Sequence, residues 1–211
     1  MSYYSSFFFK TYEINDRIIL EKFLTKKNKC IIIGAGIGFT SVISYKITRN
    51  KVLCFEIDKK LKNILIKNFL LNSVDYKLII KNLTFKRNNK KRYFTSGNNF
   101  LENNIFQKNK INEIKNIFYK NVPIKNFNTL IIDAEGYEEW VVEGGIETIT
   151  RDLPLIVLEC FDEKLFNSHT IDAPKATNEE IERRFGLLID LGYIYEHVYF
   201  EDFIFIPPKL Q

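Results

Sequence analysis

Cysteine is scarce. The 211 residues hold three, Cys30, Cys54 and Cys160, each inside an apolar run. An odd, scattered count with no CxxC pair excludes a disulfide framework and a cysteine-based zinc site, and the three read as small buried hydrophobes in a reducing compartment. Histidine is scarcer still, with only His169 and His197, so no His/Cys cluster has metal-ligand spacing and no metal is expected. Long apolar stretches are missing too. The longest uncharged run, Cys30 to Tyr45, is 16 residues with three glycines, short of the roughly 18 that a membrane span needs. Met1 to Lys10 lacks a basic leader and offers only a run of three Phe, so no secretory signal is expected. These absences lead us to expect a soluble, cytoplasmic protein.

What is present is apolar enough to fold. At 45% hydrophobic and 15% aromatic the chain can bury a core, which excludes wholesale disorder, and its length fits one domain. Thirty Ile, 24 Lys and 21 Asn occupy 75 positions, a bias typical of an AT-rich coding sequence that lowers the information in each Lys or Asn. The net charge of +5 hides a split: residues 1–130 hold 25 basic against 8 acidic side chains, and residues 131–211 hold 6 against 18. Such asymmetry fits either an anionic partner or two halves that attract one another; the lysine bias favours the second.

Short apolar runs recur at Cys30–Ile33, Val52–Phe55, Lys77–Ile80, Thr129–Ile132 and Leu155–Cys160. Each is too short for a helix and rich in Ile, Val, Leu or Phe, as a strand buried on both faces should be. Helix-length segments at Glu13–Thr25, Phe39–Arg49, Lys59–Asn72, Tyr137–Arg151 and Asn178–Leu191 alternate with them. Thr177 or Asn178 is the expected cap of the last helix, with Glu179 and Glu180 in its first turn and Gly192 as its stop. Alternation implies a doubly wound, Rossmann-like α/β sheet with helices on both faces. Tyr193–Phe200 and Phe203–Ile206, separated only by Glu201 and Asp202, must form a hairpin. The expectation is five parallel strands plus a C-terminal antiparallel pair, in a domain spanning 28–211 behind a helical segment at 1–27. The polar, Asn-rich stretch 82–125 reads as an excursion on the substrate side.

The strongest chemical signal is Cys30-Ile-Ile-Ile-Gly34-Ala35-Gly36-Ile37-Gly38-Phe39-Thr40: a buried strand, a glycine turn, then a helix. Glycines permit the tight turn and a close backbone approach, and the helix N-terminus offers N–H groups to a ligand. The spacing is GxGxG, with Phe39 where a dinucleotide fold would place its third glycine, so NAD and FAD are disfavoured; no Gly-Lys-Ser/Thr follows, which excludes a Walker loop. At the end of the next strand stands Cys54-Phe55-Glu56-Ile57-Asp58, where a carboxylate can accept hydrogen bonds from both ribose hydroxyls of an adenosine. Glycine turn plus ribose acid fits a nucleoside without a pyrophosphate, and S-adenosylmethionine is the common ligand of that description. Asn82 and Leu83, after the third strand, would flank the adenine.

The third element is Ile132-Asp133-Ala134-Glu135-Gly136-Tyr137-Glu138. Asp133 ends the fourth strand, at the C-terminal edge where ligands bind in such sheets. Asp133 and Glu135 are candidates for holding the cofactor's amino group, complementing its sulfonium, or taking a proton from a substrate hydroxyl, with Glu159 at the end of the fifth strand as a third acid. The bland alternative is that Asp133 caps the next helix. His169 is a further candidate base; His197, in an aromatic strand, reads as a sheet residue.

These motifs together resemble the FkbM-type family of S-adenosylmethionine-dependent methyltransferases. The resemblance covers roughly residues 28–206. It rests on the Gly34–Phe39 turn, the Phe55-Glu56 strand end, Asn68 and Asn72 in an N-x-x-x-N helix, and most specifically Asp133-Ala-Glu-Gly-Tyr-Glu138, with Gly144 following. Ile156-Val157-Leu158-Glu159 and Leu191-Gly192-Tyr193 extend it. The chain has Ile32 where the family carries an Asp two residues before its first glycine, and Ile131 where it carries a Lys. The resemblance implies transfer of a methyl group from S-adenosylmethionine to a hydroxyl of a sugar, lipid or small metabolite, leaving S-adenosylhomocysteine, by a monomer or homodimer.

Two alternatives stay open. An RNA ribose 2′-O-methyltransferase would use Asp133, Lys164 and Glu201 and bind phosphates through Lys86–Tyr93, a run that reads more readily as a solvated hairpin tip. An accessory protein without turnover would account for Ile32 and Ile131.

Overall fold

The computed structural model describes residues 14–80, 95–96, 99–100, 127–134, 136–160, 176–199 and 201–211. They fall into two compact units, Met1–Lys81 and Asn82–Gln211.

The first unit runs α1 (Ile14–Phe23), β1 (Cys30–Ile33), α2 (Phe39–Thr48), β2 (Val52–Glu56), α3 (Lys62–Leu71) and β3 (Tyr76–Ile80). Its strands are parallel in the order β3–β2–β1, with Ile31 opposite Leu53 and Cys54 opposite Leu78. Every residue of β1 and β2 is buried, whereas β3, outermost in this unit, is half-exposed. This matches the expectation that continuous Ile/Val/Leu/Phe runs mark strands covered on both faces. The core joins Ile31, Ile32, Leu53 and Phe55 of the strands to Val42, Leu65 and Phe69 of the helices, with Ile19 and Leu20 of α1 also buried. Helix α2 ends without a glycine: Arg49 takes the left-handed conformation (φ 58°) and its amide donates to the Tyr45 carbonyl.

The second unit holds a two-residue antiparallel pair, β4 (Thr95–Ser96) with β5 (Asn99–Phe100), inside the stretch read as an excursion. There follow β6 (Thr129–Ile132), α4 (Glu138–Asp152), β7 (Leu155–Glu159), α5 (Asn178–Asp190), β8 (Ile194–Tyr199), β9 (Asp202–Ile206) and a 3-10 turn at Pro208–Leu210. Strands β6 and β7 are parallel, and the terminal pair is antiparallel as expected. The last strand, β9, is the one that pairs with β7, so β8 is left outside it. Burial explains the order: Phe203, Ile204 and Phe205 of β9 are buried, whereas Ile194 of β8 is 49% exposed. Thr177 caps α5 as anticipated, its hydroxyl accepting from the Glu180 amide at 3.2 Å, and Gly192 ends the helical stretch at φ 83°. Together the units carry the mixed α/β Rossmann-like architecture that the alternation implied. Among the described residues, no helix is long and apolar enough to cross a membrane.

Candidate functional site

In the first unit the glycine turn is held from beneath by β2. The amides of Gly34 and Ala35 both donate to the Phe55 carbonyl at 3.0 Å, and the Gly38 amide closes the turn on the Ala35 carbonyl at 2.7 Å. Gly36 has φ +52° and Gly38 φ +96°, backbone that side-chain-bearing residues rarely adopt. Their surroundings differ. A Cβ on Gly38 would lie 2.7 Å from Leu65 Cδ1 and 3.0 Å from Phe69 Cε1, whereas a Cβ on Gly36 would meet no described atom within 4 Å. Gly38 therefore serves packing against α3, and Gly36 leaves its backbone open to approach. The open side continues into the start of α2, whose N-cap Gly38 brings no side-chain cap, so the positive end of the helix dipole is available to an acidic or polar ligand.

Glu56 stands where the ribose acid was expected, at the end of β2, and it also organises the turn. One carboxylate oxygen accepts from the Gly36 amide at 2.7 Å and the other from the Asp58 amide at 2.7 Å. Burial pushes this carboxyl above the ordinary Glu range, while the amides of Asp58, Gly36 and Ile57 pull against that rise. A carboxylate has about four lone-pair sites, and these two bonds leave acceptor capacity for hydroxyl donors. Ile32, which stands where the resembled family has an acid, is fully buried mid-strand, and the Gly36 amide is held by Glu56. From α3, Asn68 donates its side-chain amide to the Ile37 carbonyl at 2.7 Å and accepts, at its main-chain carbonyl, the Asn72 side-chain amide at 2.9 Å. The N-x-x-x-N spacing thus fixes the far side of the turn. Beneath it, the Cys54 thiol donates to the Ser41 hydroxyl at 3.3 Å, and burial pushes that thiol up to about 12.

Of the residues expected around a nucleoside, Gly34, Ala35, Gly36, Gly38 and Glu56 are brought together. Phe39 is 2% and Thr40 8% exposed, so these two would meet a ligand through backbone at the start of α2. Ile57 follows Glu56 and is part-exposed. Asn82 and Leu83 lie outside the described residues, as do Glu135, Lys164, His169 and the run Lys86–Tyr93.

In the second unit Asp133 sits immediately after β6 and is half-buried. It is not the cap of α4: the N-cap position is Tyr137, which brings no side-chain cap. The turn between Asp133 and α4 is instead gathered by Glu138, whose Oε1 accepts from the amides of Ala134 and Gly136, both at 3.0 Å. Glu138 is wholly buried, and burial pushes its carboxyl up against the pull of its own amide, Arg184 and the two turn amides. Arg184 of α5, also wholly buried at its side chain, lies 3.7 Å from Glu138 and 3.8 Å from Glu139 and donates to Cys160 Sγ at 3.0 Å. Glu159 ends β7 opposite Asp202 of β9. Glu201 brackets the same strand end, its carbonyl accepting from the Cys160 amide at 2.7 Å. His197 lies on β8 with its ring 5.2 Å from that of Phe203, as a sheet residue should. Sequence reasoning assigned no role to Glu138, Asn68 or Arg184; the first two lie inside the very motifs that carried the family resemblance.

No protein-family model matches the chain, and no curated protein matches it in sequence. Solved structures do match in fold. One is a protein of Methanococcus maripaludis assigned as an S-adenosyl-L-methionine-dependent methyltransferase, at TM-score 0.57 and 15% identity over 96% of this chain and 86% of that one. A second is Aeropyrum pernix fibrillarin with natively bound S-adenosyl-L-methionine, at TM-score 0.54 and 11% identity over 90% and 72%. A third is the methyltransferase PaMTH1 of Podospora anserina bound to S-adenosylhomocysteine, at TM-score 0.50 and 13% identity over 91% and 76%. At these identities the likeness is one of fold: the chain has the architecture of the class I S-adenosylmethionine-dependent methyltransferases.

Proposed function

We propose that this chain is an S-adenosylmethionine-dependent methyltransferase of the FkbM type that methylates a hydroxyl oxygen of a sugar, lipid or small metabolite. The observation that carries the reading is the glycine turn. Its Gly36 backbone is open to approach, and its amide hangs on a buried carboxylate, Glu56, that keeps acceptor capacity for two hydroxyls. That donor and acceptor set suits an adenosine ribose and leaves no place for a pyrophosphate-binding third glycine at Phe39. Two of the matching folds carry S-adenosylmethionine or its product in their own structures, which supports the same cofactor here.

When bound, S-adenosylmethionine supplies an electrophilic methyl group on a sulfonium with a good leaving group. The chain's own residues then have three tasks. Gly34, Ala35, Gly36, Gly38, Phe39 and Thr40 hold the ligand through backbone and helix N-terminus. Glu56 accepts from the ribose, with Ile57, Asn82 and Leu83 beside the base. Asp133, Glu135 and Glu159 provide the carboxylates, Asp133 bearing on the cofactor's cationic end and one of the three relieving the acceptor hydroxyl of its proton. Positioning provides most of the acceleration in such a displacement, and the base adds to it.

Calorimetric titration with S-adenosylhomocysteine tests the reading. Micromolar, one-to-one binding that weakens about 10- to 150-fold in Glu56→Ala is the expected outcome, the loss of hydrogen bonds to a charged group being worth about 1.5–3 kcal/mol. No heat up to millimolar ligand would overturn it and make the chain an accessory protein of the same fold.

A further inference from the structure

The turn that follows β6 is gathered by a buried carboxylate. We propose that Glu138 and Arg184 are a positioning pair: the Glu138 carboxylate shapes the turn from Asp133 to Gly136, and Arg184 fixes that carboxylate, so that Asp133 is presented in one conformation. The purpose assigned to Asp133 rests on the methyltransferase reading; the pair itself does not.

Glu138 is the first residue of α4 and folds back over its own helix end, taking the Ala134 and Gly136 amides on a single oxygen. Both amides precede the N-cap Tyr137, and a carboxylate on the first helical residue also meets the positive end of the dipole. The second oxygen of Glu138 faces Arg184 at 3.7 Å with both side chains at 0% exposure. A carboxylate removed from water is stabilised by a nearby cation and by hydrogen bonds, and the arginine with the two amides acts in that direction against its burial. Arg184 reaches further, to Glu139 at 3.8 Å and to Cys160 Sγ at 3.0 Å just past β7. One planar guanidinium therefore ties the turn after β6 to the residue after β7.

Phe185 departs from helical geometry (φ −117°, ψ 21°) directly after Arg184. Arg184 and Phe185 both lie on the buried stripe of α5, the latter edge-on to Phe205 with centroids 5.5 Å apart. Apolar side chains of similar volume would fill the same space at no loss of stability. They would not accept the Ala134 and Gly136 amides.

Amide hydrogen exchange, read by NMR on the full chain, tests the pair in the wild type, Glu138→Leu/Arg184→Met and Glu138→Gln/Arg184→Met. In the wild type the Ala134 and Gly136 amides are expected to be protected. In the leucine variant their protection should fall about tenfold or more while β6 and β7 amides such as Ile131 and Val157 keep theirs. In the glutamine variant, whose side-chain oxygen still accepts both N–H groups, it should return to within about threefold of wild type. Unprotected Ala134 and Gly136 in the wild type, unchanged exchange in the leucine variant, or a uniform rise across β6 and β7 would each overturn the proposal. If the leucine variant does not fold, the glutamine variant decides for the side-chain oxygen at position 138: both amides protected upholds its hold on the turn, and both unprotected refutes that hold and with it the pair. Titration of the same samples with S-adenosylhomocysteine keeps the two readings apart. A wild type that exchanges as expected but binds no ligand sinks the methyltransferase assignment alone, and one that binds with its turn amides unprotected sinks the pair alone.

Discussion

Two glycines two residues apart should respond unequally to the same substitution. In Gly38→Ala the new methyl group would start 2.7 Å from Leu65 Cδ1 and 3.0 Å from Phe69 Cε1. Neither neighbour has free space to retreat into: both are fully buried, and Phe69 lies tilted against Tyr76 with ring centroids 4.5 Å apart. Overpacking of a filled core costs about 1–3 kcal/mol, and holding an L-residue at φ +96° adds about 1–2 kcal/mol. The sum, about 2–5 kcal/mol, is a large part of the stability of an ordinary domain. In Gly36→Ala the methyl group enters space free of described atoms, and the amide bond to Glu56 survives, leaving only the left-handed backbone cost of about 1–2 kcal/mol. For ligand the ranking reverses. Gly36→Val should abolish S-adenosylhomocysteine binding in a protein that remains folded, because its branches occupy the side from which a nucleoside approaches. Urea unfolding followed by circular dichroism gives the first quantity and calorimetry at low denaturant the second. Equal destabilisation by the two alanine substitutions would refute the packing argument, and undiminished binding by Gly36→Val would show that ligand does not approach that backbone.

Glu56 offers a pH test whose sign follows from its burial. Its folded pKa lies above the ordinary 4.5, so the native state takes up the proton more readily than the unfolded chain; the group favours folding most below about pH 4.5, and that contribution is lost as pH rises through the raised value. Wild type should therefore lose stability relative to Glu56→Gln as pH rises above about 4.5, as read from paired urea titrations; a flat difference would show that the amides of Asp58, Gly36 and Ile57 balance burial, and one of opposite slope that they outweigh it. At the start of α5, Thr177→Ala should cost about 1 kcal/mol through loss of the Glu180 amide bond, and Thr177→Ser should restore it; no change in the thermal midpoint would mean that water caps the helix equally well.

How much of this was legible in the residues depends on whether a feature is made by neighbours in sequence or in space. Strands β1 and β6 begin and end where the apolar runs do, and β2, β3 and β7 differ from theirs by a residue, because a strand covered on both faces must be apolar throughout. The helices begin up to three residues later than their amphipathic stretches, the largest shift being at α3, which starts at Lys62 behind a turn in which the Lys60 amide donates to Asp58 Oδ1. The order β7–β9–β8 was not legible, since hairpin pairing is the same whichever strand lies inward; only the greater burial of Phe203, Ile204 and Phe205 decides it. Glu56 was found for its place at a strand end, but its hold on the Gly36 amide joins residues twenty apart and has no local signature.

Arg184 is the instructive case. The stretch Asn178-Glu-Glu-Ile-Glu-Arg-Arg184 is so highly charged that it reads as a solvated face, and Glu179, Glu182 and Arg183 are indeed exposed. Yet Ile181, Arg184, Phe185 and Leu188 fall at the i, i+3, i+4, i+7 spacing of a buried stripe, and all four are buried. Helical position, not charge composition, sets which side chain goes inward. A cation on an apolar stripe then requires an anion on the element that the stripe packs against, and Glu138, the last acid of the Asp-x-Glu-Gly-x-Glu motif, meets that requirement while Glu139 borders it. The charge pattern that concealed Arg184 thus also identifies its partner: an arginine inside one stripe and a glutamate wholly buried at a helix start are each costly alone, and the pairing offsets both.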